Sequence, residues 1–459
     1  MTGAGKTNTC MALLEGLDKA GIPFLVIEPA KAEYRSLMAT PRFQGRLRVF
    51  TLGDETVSPF RLNPFEFPEG CNVNTHLDLL KTVISSAFAM YGPMPHILEE
   101  AIVRVYRRRG WDLVSGRNSS AGKLGRENIF PTLRDLLEEI DPVVQSLGYG
   151  RELSMDMRGA LHTRIKSLLT GAKGIMLGAR KSTPMGELLA GPTVLELARM
   201  GDDQEKALIM GLLLVGIHEY REHVTAGSQR GLIHVTLIEE AHRVLKNIPQ
   251  GTNPEVANVA GKAVEMFNNI LAEVRAFGEG LLIAEQIPSK LSPDAVKNTG
   301  VKLAMRLHSP DDRGLMGDSM ALTEEQKRHL ASLPSLEAVA FGGGLEEAVW
   351  VRIPPCKPDF GKDFLPVSDN AVREAMRGFH ADMPGLYELL PACGGCPDPC
   401  HPWQEAMEVF DSPDQRWEKS LLRAVLSWTL ANDPVEALPD ISVNDPRDRH
   451  CLAAFASDK

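Results

Sequence analysis

The chain has 459 residues, with 60 acidic and 50 basic side chains, a formal net charge of -10 and a pI near 5.7. That length can bury a substantial core over two or three domains. The acidic balance excludes an overall basic nucleic-acid binder, so contact with nucleic acid would have to come from a local patch or an assembled channel. No apolar run approaches the roughly eighteen residues that span a bilayer, and no signal-peptide pattern opens the chain, so a cytoplasmic location without a membrane segment is expected. Seven scattered cysteines do not suggest a disulfide scaffold.

The chain opens on Thr2-Gly3-Ala4-Gly5-Lys6-Thr7, followed by Asn8 and an apolar helical stretch to about Lys19. This is most of a phosphate-binding loop. Its glycines let backbone N–H groups close around an oxyanion, Lys6 reaches the β- and γ-phosphates, and the Thr7 hydroxyl suits Mg²⁺ at a helix N-terminus. Residues Thr2 to Asn8 are therefore the candidate ATP contacts. The motif's first glycine would sit just upstream of Met1, with a buried strand before it, so Met1 reads as an internal methionine of a longer protein.

Further along, Pro23–Pro29 reads as a buried parallel strand, and Arg46–Leu52 repeats the pattern more weakly. Helix then strand, twice, is the rhythm of a nucleotide-binding α/β sheet. Arg61–Glu66 breaks that rhythm and is expected to cross the top of the sheet. Amphipathic helices are expected at 76–90, 95–109, 132–147 and 155–169, joined by polar loops such as Ser115–Arg126, which together read as a helical insertion. Arg107-Arg108-Arg109 closes one of these helices, where basic side chains suit the helix dipole; contact with a phosphate backbone is the alternative.

The α/β rhythm resumes at Pro192–Leu197, followed by a long apolar helix from Gln204 to His223. The strand Leu232–Ile238 then ends in Glu239-Glu240-Ala241-His242. After such a strand, one acid can hold Mg²⁺ and its neighbour can act as base toward an attacking water. Glu239 is assigned the first role and Glu240 the second. A helix at 253–277 leads to the strand Gly280–Gln286, whose Gln286 emerges at the carboxyl edge as a candidate γ-phosphate sensor. Arg275, Arg306 on the strand Val301–Leu307, and Arg313 are three candidates for a charge-stabilising arginine. Leu336–Gly342 and Glu347–Ile353 read as a hairpin closing the sheet.

Beyond Pro354-Pro355 the chain turns proline-rich, with a short helix expected at 420–431. Cys393, Cys396, Cys400 and His401 have metal-ligand spacing and are candidate Zn²⁺ ligands, with free thiols in a proline-rich loop as the alternative. The expected organisation is a first core segment at 1–75, a helical insertion at 76–190, a second core segment at 191–355 and a C-terminal tail at 356–459.

With these anchors placed, the loop at 2–7, Ile238–His242, the stretch Glu273–Gln286 and Arg306 resemble the HerA/FtsK superfamily of P-loop ATPases, in its HerA-like branch, over roughly residues 1–355. The resemblance implies a RecA-like (ASCE) sheet and a hexameric ring that uses ATP and Mg²⁺ to move double-stranded DNA, as a translocase or helicase in repair, conjugation or phage defence. It implies that Lys6, Thr7, Glu239, Glu240 and Gln286 form the ATP site and that one arginine acts on a neighbouring subunit. Related ATPases also act as ring scaffolds for a partner nuclease or as secretion ATPases moving protein. The chain departs from the family pattern in the first loop glycine, the first strand and an N-terminal barrel domain.

Overall fold

The structure is a computed structural model, described here over residues 5–88, 90–224, 231–248, 254–356, 366–383 and 386–387. The chain divides into two compact units, residues 1–169 with 173–375 and residues 170–172 with 376–459. The second lies mostly outside the described residues, and with it the Cys393–His401 cluster and the helix expected at 420–431.

The first unit opens with α1 (Lys6–Lys19) and β1 (Phe24–Glu28). Every residue of β1 is buried, as an apolar run covered on both faces requires. After β2 (Arg48–Thr51) come α2 (Val73–Ala87) and α3 (Met94–Arg108), then the two-residue strands β3 (Trp111–Asp112) and β4 (Arg117–Asn118). Next are α4 (Ala121–Leu124), α5 (Leu133–Ser146), α6 (Arg151–Leu168), α7 (Gly171–Leu177) and α8 (Met185–Leu189). Asn72 caps α2, and Thr132 with Asp135 closes a capping box on α5, satisfying backbone donors that the first helical turn leaves open.

The alternation resumes with β5 (Thr193–Glu196), α9 (Asp203–Val224), β6 (His234–Glu239), α10 (Pro254–Glu273) and β7 (Glu279–Ala284). These strands form one five-stranded sheet in the order β2-β5-β1-β6-β7, parallel throughout. Helix α9 is apolar nearly all round and buried along most of its length, the pattern of a central helix.

The helical segment after β2 does not stand apart. Helix α2 packs on α9 and α10, and His76 of α2 lies 2.8 Å from Glu219 of α9. Beside them Phe67, Phe130 and Trp111 form an aromatic cluster with ring centroids 5.0–5.6 Å apart. Arg108 and Arg109, two of the three arginines of the basic run, are engaged with Glu139 and Asp135 of α5. The polar loop 115–126 carries β4 and α4.

The last part of the unit departs from expectation. After α11 (Pro293–Asn298), β8 (Val301–Ala304), α12 (Pro310–Ser319) and α13 (Glu324–His329), the hairpin β9 (Glu337–Gly342) and β10 (Val349–Arg352) forms as the sequence predicts. It does not close the main sheet. It pairs with β8 in a separate antiparallel three-stranded sheet of order β10-β9-β8. The reason is a second small core: Ala304, Leu307, Met320, Leu322, Leu330 and Leu333 bury together around α12 and α13. Helix α14 (Asp369–Ala381) ends the described elements.

Candidate nucleotide site

The parallel strands direct their last residues to one edge, the side where ligands bind in such folds. In register, β1 places Glu28 beside Glu196 of β5, and Ile27 opposite Ile238 puts Glu239 at the end of the other neighbour. Three adjacent strands thus end in buried glutamates.

Helix α1 begins at this edge. Its N-cap, Gly5, has φ 91° and offers no side-chain cap, and the first turn holds no acidic residue, so the N-terminal backbone amides and the dipole are not answered by the helix's own carboxylates. A Cβ at Gly5 would lie 3.0 Å from Leu336 Cδ2 and 3.3 Å from Met305 Cε. Only glycine fits this approach at positive φ. Thr2, Gly3 and Ala4 lie outside the described residues.

Lys6 projects from the first turn to the acids after β6. Its Nζ lies 3.4 Å from Glu240 Oε1 and 3.7 Å from Glu239 Oε1. Burial pushes the Glu239 carboxyl above its ordinary range, Lys6 and a hydrogen bond from Tyr34 pull it back, and Glu240 and Glu33 push it up further. Glu240 adopts a left-handed backbone, φ 52° and ψ 43°, while its N–H donates to Ala284 O of β7 at 3.1 Å. That turn lets two consecutive acids face the loop lysine.

Thr7 donates its hydroxyl to Glu33 Oε2 at 2.7 Å. Asn8 is tied elsewhere: its Nδ2 donates to Pro354 O at 2.8 Å and its Oδ1 accepts from Cys356 N at 2.7 Å. Its side chain straps α1 to the end of the unit, and only its backbone amide remains a candidate phosphate donor.

Sequence reasoning missed four neighbours. Tyr34 donates to Glu239 Oε1 at 2.8 Å. Glu28 accepts from Glu33 N at 2.7 Å and Tyr34 N at 3.4 Å; burial raises its carboxyl to about 8, with Glu196 and Glu239 adding to the rise. Glu33 carries the Thr7 contact. Glu285, next to Gln286, holds His242 Nδ1 at 2.7 Å, and the same nitrogen lies 3.6 Å from Glu240 Oε2. The one available signal was position, since all four lie at or after the carboxyl ends of strands.

Gln286 follows β7 at this edge, where its N–H donates to Glu285 Oε1 at 2.7 Å. Arg306, after β8, donates to Leu333 O at 2.6 Å, next in sequence to the Met305 that adjoins Gly5. Arg313 donates to His308 O at 2.6 Å. Arg275 precedes β7 and so lies at the sheet's opposite, amino-terminal edge. Within the unit, Lys6, Thr7, Glu239 and Glu240 come together and Arg275 does not join them.

The donor set fits a magnesium nucleotide. Glu33, Glu239 and Glu240 outnumber the nearby cations Lys6 and Lys31, and hard carboxylate and hydroxyl oxygens suit Mg²⁺. A glycine-cornered helix N-terminus beside them suits phosphate. The fold is a five-stranded parallel α/β sheet with the start of α1 and these acids at its carboxyl edge.

No protein-family model matches the chain. It is 22% identical over 392 residues to the DNA double-strand break repair helicase HerA of Pyrococcus furiosus, covering 77% of this chain and 64% of that protein. To the probable HerA helicase of Methanocaldococcus jannaschii it is 30% identical over 118 residues, or 26% of this chain and 22% of that protein. The chain thus spans less than two thirds of these curated relatives. Among solved structures, VirB4 of Thermoanaerobacter pseudethanolicus aligns with a TM-score of 0.55 at 18% identity, covering 77% of this chain and 87% of that one. Plasmid coupling protein TrwB, in complex with ADP and Mg²⁺, aligns with a TM-score of 0.50 at 10% identity, covering 80% and 86%. The structural likenesses concern the fold; in sequence the chain is distantly similar to HerA helicases, which are HerA/FtsK-type P-loop ATPases. No helix of the described residues is long and apolar enough to cross a membrane.

Proposed function

We propose that this chain is the motor part of an ATP-hydrolysing, HerA-like machine with a RecA-like core, a hexameric ring that moves along double-stranded DNA. The observation that carries the reading is the convergence of Lys6 on Glu239 and Glu240 at the uncapped start of α1. In this reading the α1 amides and Lys6 bind the β- and γ-phosphates, while Thr7 and Glu239 hold Mg²⁺, which supplies charge neutralisation at the transferred phosphoryl group. Glu240 takes a proton from the attacking water and Gln286 senses the γ-phosphate. Arg306, Arg313 or Arg275 of a neighbouring subunit stabilises the developing charge.

DNA as the track is supported by the HerA relatives, whose names carry helicase function in double-strand break repair. A ring makes the acidic total compatible with DNA, because a few lysines per subunit add up in a pore. The test is ATP hydrolysis by the full chain with and without duplex DNA, beside Lys6→Ala and Glu240→Gln. Stimulation by DNA that both variants abolish is expected. Hydrolysis indifferent to DNA would turn the reading toward a nuclease scaffold or a protein-moving ATPase, and no hydrolysis would end the enzyme claim.

A further inference from the structure

Two metal-ligand candidates sit on separate elements, Thr7 on α1 and Glu239 at the end of β6, and both are held by one short loop. We propose that Glu33 and Tyr34, adjacent on the loop after β1, are positioning residues that fix the Thr7 hydroxyl and the Glu239 carboxylate for the magnesium ion of a bound nucleotide. The proposal rests on the nucleotide reading above.

The geometry is reciprocal. Glu33 Oε2 accepts the Thr7 hydroxyl at 2.7 Å, and Tyr34 donates its hydroxyl to Glu239 Oε1 at 2.8 Å. A hydroxyl that gives its proton to a fixed carboxylate must present its lone pairs elsewhere, and that carboxylate raises the oxygen's basicity, as outer partners do for metal ligands generally. Tyr34 engages one oxygen of Glu239. Its phenol is fully buried.

The loop itself is anchored. Glu28, at the buried end of β1, accepts from the backbone N–H of both Glu33 and Tyr34. Lys31, on the same loop, lies 3.6 Å from Glu33 Oε1 and balances the charge that Glu33 adds. One carboxyl in the sheet therefore sets two backbone positions, and these set two side chains that no local sequence pattern connects. The loop couples the phosphate-loop threonine to the acid of a strand more than two hundred residues away.

The experiment titrates the full chain with Mn²⁺ in the presence of a non-hydrolysable ATP analogue, followed by electron paramagnetic resonance, for wild type, Glu33→Ala, Glu33→Gln and Tyr34→Phe. Analogue binding in EDTA is measured in parallel, and thermal unfolding confirms that each variant folds. The expected result is a roughly 10- to 100-fold loss of Mn²⁺ affinity in Glu33→Ala and Tyr34→Phe, partial recovery in Glu33→Gln, whose amide oxygen can still accept, and unchanged metal-free analogue affinity. Wild-type Mn²⁺ affinity in all three folded variants would overturn the positioning role while leaving the nucleotide reading intact. Failure of the wild type to bind the analogue with or without metal would overturn both.

Discussion

Lys6 of α1 and Glu240 after β6 meet at 3.4 Å across 234 positions of sequence. The lysine serves as counter-ion to the two acids; a bound γ-phosphate would compete for it and leave Glu240 facing water. Lys6→Ala should therefore weaken ATP binding itself. Glu240→Gln should bind ATP about as tightly as wild type and lower kcat by about 10²- to 10⁴-fold, the usual contribution of a general base. Calorimetric binding and steady-state hydrolysis separate the two, and a Glu240→Gln enzyme with wild-type kcat would remove Glu240 from the chemistry.

This pair was legible in the sequence because each partner carries a local signature: a glycine turn opening a helix, and two acids ending an apolar strand. The strands of the main sheet were legible for a related reason, since buried parallel strands are short apolar runs stopped by turn residues. Glu33 and Tyr34 were not. Their roles depend on register between β1 and β6 and on a loop whose residues have no distinctive spacing. The separate β8-β9-β10 sheet was also hidden, because the hairpin pattern fixes the pairing of β9 with β10 but not the partner of its outer edge. Asn8 adds a contact that the motif does not encode: tertiary packing ties its side chain to residues 354 and 356.

A buried ion pair beside the site yields a stability prediction. Arg35 donates from Nε to Glu196 Oε1 at 2.8 Å and from Nη2 to Oε2 at 2.5 Å, and from Nη1 to Asp369 at 2.7 Å. Glu196 is 2% exposed. Removing one member of such a pair strands a buried charge, so Arg35→Ala should destabilise the protein by about 3–5 kcal/mol. Arg35→Lys should recover little, because a point charge cannot reproduce the two-pronged fork. Urea unfolding measures this, and equal stability of wild type and Arg35→Ala would show that the pair contributes nothing net.

At the opposite edge of the sheet, Glu279 accepts from Thr236 at 2.7 Å and from Arg221 at 2.8 Å, and lies 2.8 Å from His234 Nδ1. Burial alone would raise its carboxyl, but His234, Arg221 and Thr236 outweigh burial and hold it below the ordinary 4.5. The sign follows. A depressed carboxyl means that the unfolded chain binds the proton more readily, so this stabilisation is present above pH of about 4.5 and is lost as pH falls through the lower folded value. Glu279→Gln should cost about 3–5 kcal/mol near neutrality. The wild-type and variant stability curves should converge on acidification, and parallel curves down to pH 3 would sink the assignment. Metal-free nucleotide binding should be far less affected, because the network lies at the amino-terminal edge.

The backbone of Glu240 sets function against stability. A non-glycine residue at φ 52° and ψ 43° costs on the order of 1–3 kcal/mol, and the turn is retained because its N–H reaches Ala284 O while its side chain reaches Lys6. Glycine normally weakens a folded position relative to alanine by about 0.5–1 kcal/mol. Here the order should invert. Glu240→Ala loses the Lys6 contact and keeps the backbone strain, whereas Glu240→Gly loses the same contact and relieves it. Glu240→Gly should therefore be the more stable of the two by about 1 kcal/mol, with both variants losing hydrolysis to the same extent. Paired denaturation curves decide the matter: if Glu240→Ala is as stable as Glu240→Gly or more so, the left-handed turn is not a strained one. A confirmed inversion would mean that the second acid is held in place against local preference, for its side chain alone.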